Sequence, residues 1–192
     1  MNLEEYNKVK DFTYLEYCDY LQQKYGLPPK PYMTENFVKS GWSRKCNSRT
    51  NEGLMLHHKY EDHAILLGDE DRAAKNPYTW QLQENLVYCN YLEHLFLHIL
   101  ICEFPKNKRK NEIVGIGGVQ NFIGFELCQY YNGLISKNES WRNTCFDLVK
   151  NHKRTYITLL ERFKTKSSTY PLFDRKLIEL YIDKTQKSPY FN

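Results

Sequence analysis

Two stretches decide how this chain is read: Gly53-Leu54-Met55-Leu56-His57-His58, and Asn85-Leu86-Val87-Tyr88-Cys89-Asn90-Tyr91-Leu92-Glu93-His94-Leu95-Phe96-Leu97-His98. The first is a short apolar run that ends in two histidines, the pattern of a buried strand delivering polar side chains at its end. The second opens with another short apolar run, Leu86 to Cys89, and turns at once into a helix. Asn90 is a good N-cap, Glu93 stands three residues on where its carboxylate can reach back to the cap, and the residues after it are helix-compatible until Pro105. The order is strand, long connection, strand, helix. On that helix His94 and His98 are four apart, so their rings share one face about a turn from each other and can chelate one metal. Taken alone, such a pair is equally a pair of core histidines satisfied by ordinary hydrogen bonds. His57 and His58 add to it, because in an extended chain adjacent rings diverge, and one can bind metal while its neighbour faces a substrate at the metal's edge.

Outward from this centre the chain reads as mostly helical. From Leu3 to Tyr25, residues Tyr6, Val9, Thr13, Tyr17 and Tyr20 fall near one helical face, and Gly26 with Pro28, Pro29 and Pro31 ends that helix in a stiff linker. Residues 32–52 are polar and mixed, with Arg44, Lys45 and Arg49 close together, and predict irregular structure around one short element. Gly68 to Pro77 predicts an excursion loop or a short helix. Ile113 to Tyr131 predicts a buried helix with a bend near Gly115 to Gly118, where the glycines lack the Lys-Ser/Thr pair and preceding strand of a phosphate-binding loop. From Trp141, residues Cys145, Leu148, His152, Tyr156, Leu159 and Phe163 recur at spacings of three and four and predict an amphipathic helix; Leu172, Phe173, Leu177, Leu180 and Tyr181 predict one more. The expected class is therefore α+β, mostly helical, organised as an N-terminal helix and Pro-rich linker (1–31), a central core (32–110) and a helical C-terminal region (111–192) packed on or beside it.

The composition sets limits. With 192 residues, 41% hydrophobic and 26% charged, the chain is sized for one domain with a real core. The start lacks the basic-then-apolar order of a secretory signal, and the apolar stretch Leu95 to Phe104, broken by His98 and Glu103, is too short to cross a bilayer. Six cysteines at 18, 46, 89, 102, 128 and 145 form no C-x-x-C pair, against a zinc ribbon and a disulfide framework, so a cytoplasmic location without membrane contact is expected. Charge is uneven: residues 57–103 carry 3 Lys/Arg against 8 Asp/Glu, whereas residues 104–166 carry 12 against 5. A phosphate-gripping surface is expected in the second stretch, where the plain alternative is a set of solvated helix faces.

The sequence HH, then Asn-Leu, then H-x3-H resembles the HNH (ββα-metal) endonucleases, most closely the colicin-type and phage HNH proteins, over about residues 53–104. The nine-residue step from Asn85 to His94 and the Glu-His pair on the helix belong to the resemblance. The twenty-six residues between His58 and Asn85, rich in acids, exceed the connection of compact members. The resemblance implies a central ββα-metal motif in which His57, His94 and His98 hold one divalent ion (zinc, nickel, magnesium or manganese). It also implies that His58 is the general base and that Asn85 fixes the His58 ring through a hydrogen bond. The function so implied is a metal-dependent DNA endonuclease or nickase encoded by a phage or mobile element. Its DNA contacts are expected at Lys106, Lys108, Arg109 and Lys110, and secondarily at Arg142, Lys150, Lys153 and Arg154.

Two further readings stand beside it. One is an HNH-derived binding protein, a phage-encoded inhibitor whose partner is a host defence nuclease, with Glu61, Asp62, Asp69, Glu70 and Asp71 occupying a basic groove. The other is a purely structural zinc. The same five acids are otherwise expected to be solvated rather than metal-ligating, His63 to lie on the surface, and His152 to be a satisfied core histidine.

Overall fold

The computed structural model describes residues 1–103, 113–135 and 140–191. At its centre, strand β1 (Met55–His58) pairs antiparallel with β2 (Leu86–Cys89), with Met55 opposite Cys89 and His58 opposite Leu86. The chain then enters a 13-residue helix, Tyr91–Glu103. Its start is built as the sequence predicts: the Asn90 side chain accepts from the backbone N–H of Leu92 and Glu93, and the Glu93 carboxylate accepts from the Asn90 N–H at 2.8 Å. That reciprocal cap satisfies N–H groups that the first turn leaves unpaired.

Numbered along the chain, the helices are α1 (Leu3–Val9), α2 (Tyr14–Tyr25), α3 (Gly41–Asn47), α4 (Glu70–Ala73), α5 (Tyr91–Glu103), α6 (Ile123–Tyr131), α7 (Ser140–Asp147), α8 (Lys153–Lys166) and α9 (Arg175–Lys187). α5 is apolar all round and buried along nearly its whole length, the property of a central helix, and it packs on α2, α6 and α8. α9 closes the far side against α6 and α8. One hydrophobic cluster runs from Tyr6 and Tyr17 through Val87, Leu95 and Leu127 to Phe163 and Ile182, so the flanking helices share a core with the strand pair.

Two expected helices are each divided. The N-terminal one breaks before Thr13, whose hydroxyl and Glu16 form a capping box that starts α2. The one from Trp141 breaks into α7, a short 3-10 turn at Lys150–His152 and α8. His152 sits half-buried at that turn rather than in the core. Ahead of α6, Gly118–Phe122 forms a π-helical turn after the Gly115 bend, where φ is +81°.

The long connection between the strands is ordered by a small apolar cluster of Ala64, Leu67 and Trp80, with Tyr60 stacked on the Trp80 ring at 4.6 Å. Outside it, the side-chain amide of Gln22 on α2 donates to the carbonyls of Glu84 and Leu86 at 2.9 Å, fastening α2 to the start of β2. Among the described residues, no helix is long and apolar enough to cross a membrane.

Candidate metal centre

Because β1 ends beside the first turns of α5, His57 meets His94 and His98. Their ring centroids lie 5.1 Å and 5.3 Å from that of His57, and 5.0 Å from one another. A fourth group joins them. Glu61, in the 3-10 turn that follows β1, places Oε2 3.5 Å from His57 Nδ1 and 3.6 Å from His98 Nε2. One ligand atom from each of His57, Glu61, His94 and His98 falls within 4.8 Å of the others.

The electrostatics of this cluster fit a cation. The Nδ1 atoms of His57, His94 and His98 are buried and make no hydrogen bond, which would be costly for polar atoms with nothing to meet. Burial, reinforced by the neighbouring imidazoles, holds His57 and His94 well below the usual histidine range. Burial also brings His98 to about 4, against an opposing contact with the Gly115 backbone. All three rings are therefore neutral at pH 7 and offer lone pairs. Burial likewise pushes the Glu61 carboxyl up to about 8, so at pH 7 it is largely protonated and would give up that proton to act as a carboxylate donor on binding a cation. Three neutral imidazoles and one carboxylate form a nitrogen-rich donor set suited to zinc and its first-row neighbours, so the residues present fit one divalent metal ion.

Tyr14, the first residue of α2, orients His57. Its hydroxyl lies 2.8 Å from His57 Nε2 and donates to the His58 carbonyl at 3.3 Å. With that proton on the carbonyl, the oxygen accepts from Nε2–H and leaves the His57 Nδ1 lone pair facing the cluster. Glycine supports the other side. A Cβ on Gly118 would stand 2.4–2.6 Å from the His98 ring, and one on Gly115 would crowd Ile101, Cys102 and the His98 carbonyl. At Gly115 and Gly118 the bend thus has room for glycine alone.

His58 lies beside this group and is also buried, which lowers it to about 4. The expectation that Asn85 holds it is not met. The Asn85 amide donates to the Thr79 carbonyl at 2.7 Å, at an exposed site. Gln81 stands in that place instead: fully buried, it donates through Nε2 to the Leu67 carbonyl and presents Oε1 3.1 Å from His58 Nε2. An acceptor there puts the proton on Nε2, so the unprotonated Nδ1 faces Glu61 Oε1 at 3.8 Å. The Tyr32 ring packs edge-on against His58 at 4.7 Å.

The remaining expected site residues are dispersed. Lys106, Lys108, Arg109 and Lys110 lie outside the described residues. Lys150 and Arg154 are exposed; Arg142 is exposed too, lying over the Trp141 ring and 3.8 Å from Glu126. Lys153 donates to the carbonyls of Ser188 and Tyr190, so it is engaged in holding the C-terminal segment. The five acids do not form one solvated surface. Glu61 belongs to the centre, and Asp62 is buried against His63 Nδ1 at 2.5 Å. Asp69 caps α4, and Glu70 accepts from the Lys39 N–H.

Glu61, Gln81 and Tyr14 were not singled out from sequence. Glu61 carried a usable signal, since it follows His57 by four residues in the turn leaving β1, but it was masked by four similar acids nearby. Comparison with protein-family models, with curated proteins and with solved structures gave no match.

Proposed function

We propose that this chain is a metal-dependent endonuclease or nickase of the HNH type, acting on DNA. The observation that carries the reading is the convergence of His57, His94 and His98 with Glu61, from the β1–β2–α5 order, one ligand atom of each lying within 4.8 Å of the others. These rings would hold one divalent ion, with Glu61 as a fourth donor on the side where part of its carboxylate is exposed. Bound there, the ion would polarise a phosphate oxygen and neutralise the leaving 3′ oxygen.

The chain's own contribution is positioning. Tyr14 keeps His57 in the tautomer that presents Nδ1, and the glycine bend fixes the His98 ring. Gln81 keeps His58 with its free nitrogen toward Glu61 and the centre, the orientation needed to take a proton from an attacking water. Glu61 lies between His58 and the other histidines, so its carboxylate would govern access of that water to the coordination place left open beside it.

The test is supercoiled-plasmid nicking with a panel of divalent ions. Metal-dependent conversion to open circle is expected, lost in His94→Ala with the metal itself and lowered by about 10²-fold or more in His58→Ala, in keeping with a general base. A chain that binds metal but leaves plasmid intact with every ion refutes the nuclease reading.

A further inference from the structure

Among the described residues, the exposed parts of the centre open onto an apolar space. Glu61, His94 and His98 line a pocket of about 360 Å³ whose other walls are Ile65, Leu66, Ile113, Ile116, Phe122 and Ile123, closed by the backbone of Gly115, Gly117 and Gly118. That volume lies within the range of about 300–1,000 Å³ common for small-molecule sites. Among the described residues, Glu61 is the one acidic group in the lining and no lysine or arginine lines it. Leu66 and Phe122 stand at the rim, 51% and 58% exposed. His57 is fully buried and His58 nearly so. The donor groups that keep some exposure are therefore those that face this apolar space.

We propose that this pocket is a binding site for a small amphiphile: an apolar body of a few carbons carrying one anionic, metal-coordinating head, of the carboxylate or hydroxamate kind. The head would take the coordination place that Glu61 borders, while the body displaces water from the isoleucine, leucine and phenylalanine walls. Three observations support this choice of ligand. The uncommitted imidazole nitrogens and Glu61 sit at one end and call for a metal-linked head. The walls offer side chains only for apolar contact. Gly117 leaves the space open, since a Cβ there would come no nearer than 3.7 Å to Phe122. A ligand so bound would occupy the place a phosphodiester needs and would block cutting. The inference rests on the metal centre of the preceding reading but not on its nuclease chemistry.

Calorimetry on the zinc-loaded chain tests it with straight-chain hydroxamates from acetohydroxamate to octanohydroxamate. Affinity is expected to rise about three- to fourfold for each methylene added until the pocket is filled. In Gly117→Leu, whose side chain would take up part of the pocket, the chain-length gain should disappear. The rim variant Leu66→Ser/Phe122→Ser should reduce that gain. Equal affinity across the series in the native chain overturns the proposal, as does an undiminished gain in Gly117→Leu. A chain that takes up no zinc overturns both this inference and the metal centre. Failure of plasmid nicking alone leaves the pocket standing, because calorimetry reads binding rather than turnover.

Discussion

Gly118 shows how far one side chain can govern the centre. Because a methyl group there would overlap the His98 ring, Gly118→Ala is expected to lower zinc affinity by an order of magnitude or more while far-UV circular dichroism stays native; unchanged affinity would mean that the ring has room to move. Tyr14→Phe is milder. It strips His57 Nε2 of its buried partner, and loss of such an orienting group commonly costs about 10–100-fold in metal affinity, measurable by competition with a chromophoric chelator. A third comparison separates two amides. Gln81→Leu should depress nicking because it frees the His58 ring, whereas Asn85→Ala, which removes only a contact with the Thr79 carbonyl, should cut nearly as well as the native chain. The reverse ranking would restore Asn85 to the role its position in the motif implies. At this scale the sequence reveals groups that repeat at a fixed step: His94 and His98 are one helical turn apart, and His57 ends a strand. It conceals partners supplied by remote segments. Tyr14 lies forty-three residues before His57, and nothing around Gln81 distinguishes it from Gln83.

Among the elements, α5 is the hub, and its start is where local chemistry and packing agree. Asn90 supplies the cap and Glu93 the return bond, and Glu93 also accepts from Lys24 and Tyr25 on α2. Asn90→Ala is expected to cost about 1 kcal/mol of stability, seen as a lower urea midpoint, and to loosen the turn that carries His94. The Asn90 cap was legible because capping has a fixed three-residue signature. The same signature was present at Thr13 and Glu16, yet the apolar spacing across Leu3 to Tyr25 runs through it and masks the break between α1 and α2. Spacing also runs across the α7–α8 break, but the 3-10 turn at Lys150–His152 shifts the inward face there: Phe146 and Val149 are buried while Leu148 is 45% exposed. Lys153 could not be distinguished from its neighbours by sequence, because its two carbonyl partners belong to a segment thirty-five residues further on.

Over the whole molecule, metal and fold are linked through mass action. An ion that binds the folded chain at about 100 times its dissociation constant adds about 2.7 kcal/mol, so zinc should raise the melting temperature of the native chain and leave that of His94→Ala nearly unchanged. Acid acts on the centre too: His57, His58, His94 and His98 are held by burial below their ordinary value of 6.5, so the unfolded chain takes up more protons and stability falls as pH drops below that value. Glu5 adds to this at lower pH. Burial pushes the Glu5 carboxyl up, but the hydrogen bond and charge of Lys24, the N-terminal ammonium and the Tyr20 hydroxyl outweigh it and hold Glu5 below its ordinary value of 4.5. A depressed carboxyl contributes stability that is fully present above that unfolded value and is lost as pH falls through the folded one. The urea midpoint should therefore decline from about pH 6.5 downward, and the part of the decline below about pH 4.5 should be less steep in Glu5→Gln.

The Tyr14 hydroxyl joins the side chain of His57 and the backbone of His58 to the first residue of α2, so the centre and that helix are mechanically one piece. Holding His57 still also holds the end of α2 still. Amide protons in the first turns of α2 should then exchange with deuterium more slowly once zinc is added. Those protons would report occupancy of a site to which α2 contributes no ligand.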